Sequence, residues 1–199
     1  MILTFNDPII VSCTLETLAD INKVFAEADC LKSSADIEAA IDQMGMAITE
    51  QFKESNPVII CVMKGGLIFT TKLLERLQFP LEVDYLHATR YQNSTVGGDT
   101  IEWLAKPQTD LTGRSVILVD DILDVGSTLK SILASPLMGS VKTLHTAVLI
   151  DKQHDRKVDP DFKADFTGLT IEDRYIFGYG MDYKGYLRNA PGIFAVKGL

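Results

Sequence analysis

The sequence predicts an α/β fold, a mainly parallel twisted sheet flanked by helices, and three observations lead there. Segments of helical periodicity alternate with short apolar runs along the chain. Two of those runs, Val58 to Met63 and Ser115 to Val119, are continuous, as in strands covered on both faces. Each is followed by glycines or acids, the residues found in loops beyond the carboxyl ends of parallel strands, where such sheets bind ligands.

The elements follow in order. Ser33, three residues before Asp36, has the pattern of a helix start, and Ile37, Ile41, Met44, Ile48 and Phe52 then recur on one helical face. Asn56-Pro57 ends that helix, VIICVM (58–63) is a buried strand, and Lys64-Gly65-Gly66 is the loop after it. A second helix fits Leu67 to Leu77, and Leu81, Val83 and Tyr85 then alternate with polar residues as in a strand. The polar stretch from Ala88 to Thr100 contains Gly97-Gly98 and has no period, which predicts a long mobile loop. Leu111-Thr112-Gly113 makes a turn, Ser115 to Val119 a buried strand, Asp120 to Gly126 a loop, and Ser127 to Leu133 a helix closed by Pro136. Val141 to Ile150 is a further strand. With no repeat and no linker-like stretch, a single domain over 1–199 is expected, its core at about 35–170 and a small hood lobe from about 1–30 and 171–199.

Composition narrows the partners. Hydrophobic residues make up 46% and charged residues 23%, as in a soluble globular chain. The net charge of −8 argues against a broad grip on nucleic acid or anionic lipid. The longest apolar run, six residues, falls far short of the roughly 20 that span a bilayer, so no membrane partner is expected. The N-terminal stretch lacks a basic signal region, and Cys13, Cys30 and Cys61 form no CxxC pair. Both features predict a cytoplasmic protein with its cysteines as small buried hydrophobes. His87, His145 and His154 have no metal-binding spacing.

The chemistry lies in Val116 to Thr128, VILVDDILDVGST. Amides from about Val125 to Leu129, at the positive end of a helix, would converge on one anion, with the hydroxyls of Ser127 and Thr128 as further donors. Gly126 would admit the close backbone approach. Asp120, Asp121 and Asp124 would repel a bare polyanion, but suit sugar hydroxyls, Mg²⁺ bridging phosphate oxygens, or a proton to be abstracted. A phosphorylated sugar meets all three conditions. Neither GxxxxGK[ST] nor a GxGxxG after a strand is present.

VILVDDILDVGSTL (116–129) resembles the phosphoribosyl pyrophosphate signature of type I phosphoribosyltransferases. VMKGG (62–66), LIDK (149–152) and YIFGYGMDYKGYLR (175–188) stand in the order and spacing of the hypoxanthine-guanine members, so the likeness runs from about Val58 to Val196. The resemblance implies purine salvage: transfer of a 5-phosphoribosyl group from phosphoribosyl pyrophosphate to hypoxanthine or guanine. It implies that Asp120 and Asp121 hold the ribose hydroxyls directly or through Mg²⁺, that Asp124 is the general base at purine N7, and that Val125, Gly126, Ser127 and Thr128 wrap the 5′-phosphate. Lys64 and Gly65 would face the pyrophosphate, Asp182 a second Mg²⁺, and Arg188 would clamp the leaving group. Lys152 would donate to the 6-oxo group, Tyr175 would stack on the purine, and backbone groups of Ile176 would read its other edge.

Three positions depart from the family pattern: Val125 replaces a threonine, Arg90-Tyr91 stands where the lid carries Ser-Tyr, and Gly185 replaces a frequent acid. The family habit implies a homodimer or homotetramer. Two alternatives stay open: a regulator of the same fold that senses phosphoribosyl pyrophosphate, against which the acidic balance speaks, and an enzyme preferring xanthine or another base.

Overall fold

The structure, a computed structural model, describes residues 8–90 and 101–198; for 8–16 and Arg90 only the backbone is described. Helix α1 (Pro8–Glu27) and strand β1 (Asp29–Lys32) open it, where periodicity alone predicts no element. In α2 (Ser34–Phe52) the Ser33 hydroxyl accepts the Asp36 amide at 3.3 Å, and the Asp36 carboxylate accepts the Ser33 amide at 2.8 Å. The five predicted apolar residues of α2 are buried.

β2 (Val58–Met63) and α3 (Gly66–Leu74) follow, the helix ending three residues before the expected Leu77. β3 (Glu82–Arg90) and β4 (Ile101–Ala105) are antiparallel. Residues 88–90, expected in the mobile loop, thus belong to a strand whose Leu86 and Ala88 are buried. Tyr91 and the rest of 91–100 lie outside the described residues. The buried phase of β3 also differs from the alternation: Val83 and Tyr85 are 51% and 49% exposed, because α3 packs on β2 and β5 and leaves them uncovered.

β5 (Ser115–Leu123) reaches four residues past the expected Val119, so Asp120 and Asp121 sit on a strand and not in a loop. The cause is continued pairing with β6 (Thr143–Gln153), from Asp120 opposite Val148 to Leu123 opposite Asp151. Between them lie α4 (Ser127–Leu133), as predicted, and a 3₁₀ turn at Pro136–Met138. β7 (Phe166–Glu172), β8 (Ile176–Phe177) and β9 (Ile193–Ala195) complete the chain.

The main sheet has the order β4-β3-β2-β5-β6-β7, parallel except for β4. Phe69 and Leu73 of α3 join α2 on one face, against Ile59, Ile117 and Leu149; Leu129 and Ile132 of α4 cover the other, against Ile60, Leu118 and Val148. A smaller antiparallel sheet, β1-β9-β8, is built from both ends of the described chain. Ile21 of α1 packs there with Phe177 and Val196. Cys61 is buried as expected, Cys30 on β1 is exposed, and the side chain of Cys13 lies outside the described residues. Among the described residues no helix is long and apolar enough to cross a membrane.

Candidate active site

Strand order reverses between β2 and β5, the position where a doubly wound sheet opens a crevice at its carboxyl edge. Their pairing stops at Cys61 opposite Val119, while each strand continues with its other neighbour, so the two splay apart. A cleft of about 640 Å³ fills the gap. It gathers Lys64, Gly65, Asp120, Asp121, Asp124, Val125, Gly126, Ser127, Thr128, Lys152, Tyr175, Ile176, Asp182 and Arg188, residues up to 124 positions apart in the chain.

At the end of β5 the chain turns through Asp124 and Val125 into Gly126, whose φ of 81° and ψ of −1° form a left-handed cap for α4. A side chain there would be strained, and its Cβ would meet Leu123 at 3.0 Å and Phe162 at 3.3 Å. The glycine is therefore demanded by the turn and by its packing against Leu123 and Phe162. The N-cap of α4 is a glycine with no side chain to cap the helix, and the first turn of α4 lines the cleft.

Asp120 and Asp121 stand side by side just before this turn. Burial, and for Asp120 the neighbouring charge of Asp121, raise both carboxyls above the usual carboxylate range; Arg188 partly offsets this for Asp121. Gly65 makes the arrangement fit, since a Cβ there would lie 2.0 Å from Asp121 Oδ2. The other side of Gly65 is closed by the segment after β8: a Cβ on Gly180 would come within 2.1 Å of the Gly65 carbonyl oxygen. Tyr179 anchors that segment to α2 by donating its hydroxyl to Glu38 at 2.9 Å.

Arg188 donates to the Gly180 carbonyl at 2.6 Å and to Asp182 at 2.5 Å, and the second Asp182 oxygen accepts the Gly185 amide at 2.7 Å. Deeper in, Lys152 is buried at the end of β6, with its ammonium 3.6 Å from Asp124 Oδ2 and 3.1 Å from Asp173. The other oxygen of Asp124 lies 2.6 Å from His154 Nε2. Tyr175, 45% exposed, meets Tyr183 edge-on and lines the cleft.

The model of the phosphoribosyl transferase domain family matches residues 27–184. This chain belongs to the phosphoribosyltransferase family. It is 32% identical to the hypoxanthine-guanine phosphoribosyltransferase of Bacillus subtilis over 89% of this chain and 94% of that one. It is 36% identical to the hypoxanthine-guanine-xanthine phosphoribosyltransferase of Tritrichomonas foetus over 84% and 90% of the two chains. A solved hypoxanthine phosphoribosyltransferase from Staphylococcus aureus superposes with a TM-score of 0.78 at 28% identity, covering 85% of this chain and 91% of that one.

In this phosphoribosyltransferase every site residue expected from sequence lines the cleft except Arg90 and Tyr91. Arg90 ends β3 with its side chain outside the described residues, and Tyr91 lies wholly outside them. Sequence reasoning missed Asp173 and His154, the partners of Lys152 and Asp124, and the cleft walls His87 and Thr89. His154 lies just past the end of β6, and no pattern in the chain marks it as a partner of Asp124.

Proposed function

We propose that this enzyme transfers the 5-phosphoribosyl group from phosphoribosyl pyrophosphate to hypoxanthine or guanine, forming IMP or GMP and releasing pyrophosphate. One observation carries the reading. A buried ammonium and a carboxylate oxygen, Lys152 Nζ and Asp124 Oδ2, lie 3.6 Å apart in the cleft that the glycine-capped first turn of α4 also lines. A donor beside an acceptor matches the O6 and N7 edge of a 6-oxopurine. Adenine would set its amino donor against an ammonium that cannot accept.

In this reading the purine lies against Tyr175, with Ile176 backbone groups at its far edge, and the 5′-phosphate sits on the amides and hydroxyls of Val125 to Thr128. N9 bonds to C1′ as the bond from C1′ to the pyrophosphate oxygen breaks, and Asp124 accepts the N7 proton, relieving the positive charge that would build on the base. Lys64, the Gly65 backbone and Arg188 face the departing pyrophosphate, where Arg188 exchanges its bond to Asp182 for one to the leaving group.

The donor set suits Mg²⁺. Asp120 and Asp121 are adjacent hard oxygen ligands whose mutual repulsion a cation relieves. Asp182 would serve a second ion once Arg188 releases it. When bound, Mg²⁺ neutralises charge developing on the pyrophosphate.

The chain would work in the cytoplasm as a homodimer or homotetramer, a reading supported by half-exposed Val83, Tyr85 and Leu104 on β3 and β4, apolar area that subunit contact would cover. The strands from the two chain ends would form a hood over the base, completing the single domain. The test is a base-by-base assay of pyrophosphate release with Mg²⁺ and phosphoribosyl pyrophosphate. Hypoxanthine and guanine are the expected substrates, xanthine measures how the 2-position is read, and turnover of adenine alone would overturn the assignment.

A further inference from the structure

We infer that His154 is a positioning residue for the reaction: it holds one oxygen of Asp124 so that the other is presented to the purine. The inference rests on the proposed role of Asp124 as base.

The His154 side chain is 2% exposed, and a buried imidazole needs partners for both nitrogens. Both are on hand. The Arg156 backbone amide lies 3.0 Å from Nδ1 and can only donate, so Nδ1 carries a lone pair. The hydrogen of the neutral ring is thereby assigned to Nε2, which points at Asp124 Oδ1 at 2.6 Å. His154 donates, and Asp124 is held by one oxygen.

Two consequences follow. Asp124 follows the end of β5 and is 39% exposed, so little else restrains its carboxylate. Released from His154, it would swing onto the Lys152 ammonium, now 3.6 Å away, and the acceptor and donor needed by the base would satisfy each other. Asp173, 3.1 Å from the same ammonium, is the nearer partner of Lys152, so each of the two groups has an anchor of its own. Second, Nε2 already bears its hydrogen, so a proton taken from N7 stays on Asp124 Oδ2 and does not pass to the ring. His154 orients and does not relay.

The test compares three substitutions at this position. His154→Leu removes the donor. His154→Asn keeps a buried amide but is too short to reach Asp124, and it reads the same quantity should the Leu variant be unfolded. His154→Gln restores a donor near Nε2. Losing a hydrogen bond to a charged group is expected to lower kcat about 10- to 100-fold in the first two variants. The KM for phosphoribosyl pyrophosphate should stay within about twofold, because the phosphate turn is untouched, and Gln should recover kcat to within about threefold. In an Asp124→Asn background, His154→Leu should cause little further loss, since the group it positions is no longer a base. Nitrogen-15 NMR of the histidine ring should show a protonated Nε2 and a bare Nδ1.

Full activity in both donor-less variants, an additive loss with Asp124→Asn, no recovery in Gln, or the opposite tautomer would each overturn the inference. An Asp124→Asn enzyme of near-normal rate would instead remove the base assignment beneath it.

Discussion

Replacing Gly65 by alanine perturbs the cleft where it is tightest. An added Cβ would stand 2.0 Å from Asp121 Oδ2, 2.4 Å from its Cγ and 2.7 Å from Oδ1. Rotating the carboxylate does not help, because Cγ lies on the rotation axis and is itself too close. Contacts under 3.0 Å are essentially never made by a real Cβ, so the carboxylate must withdraw by at least about 1 Å. The loop cannot yield instead, since its carbonyl is packed against Gly180, and Asp121, only 7% exposed, has little room. A misplacement of about 1 Å costs roughly 10²-fold in rate, so kcat/KM for phosphoribosyl pyrophosphate should fall by about that factor. The assay is steady-state pyrophosphate release at saturating hypoxanthine, with a thermal melt to verify folding. A folded variant with kcat/KM within threefold of the parent would refute the claim that Asp121 is held in place by the missing side chain of Gly65.

Asp124→Asn should lower kcat by about 10² to 10⁴, the span for lost acid-base help, with a melt near that of the parent; a rate within a few-fold would remove the assignment. Asp120→Asn should inactivate the enzyme yet raise its Tm at neutral pH. Burial, then the charge of Asp121, raise the Asp120 carboxyl, so the parent loses stability as pH climbs through that raised value; the gain should vanish at acid pH, and a loss of Tm at neutral pH contradicts this. Tyr179→Phe should cost about 1 kcal/mol, or roughly 2–4 °C in Tm, after allowance for partial exposure of Glu38. Burial tends to raise Glu38, but hydrogen bonds from Tyr179 and Arg76 win and lower it, so this stability is present above its ordinary 4.5 and lost as pH falls through the lowered value; a difference that grew in acid would refute it. Gly126→Ala, at φ 81°, should lower Tm by about 2–8 °C and raise the KM for phosphoribosyl pyrophosphate; calorimetry and kinetics together check both.

Much of the molecule is legible along the chain because local physics suffices for it. The capping pair Ser33 and Asp36, the helical apolar stripe to Phe52, the continuous apolar strands and the turn at Gly126 are each set by residues within a few positions of one another. The resemblance of the acidic strand end and the later segments to a known family then named the contributors to the cleft. Other features depend on partners distant in sequence. Asp120 and Asp121 lie on a strand because β6 pairs with them, and Val83 and Tyr85 face outward because α3 covers other strands. β4, β7 and the strands of the small sheet exist through pairing that short, weakly patterned segments do not advertise. The clearest case is His154, unremarkable in the sequence. Its meaning comes from a carboxylate 30 positions earlier, brought to 2.6 Å by two parallel strands that end side by side. Periodicity and caps are nearest-neighbour properties of a chain, whereas the acid–base geometry of a cleft is a property of strand order, and only the folded sheet supplies that.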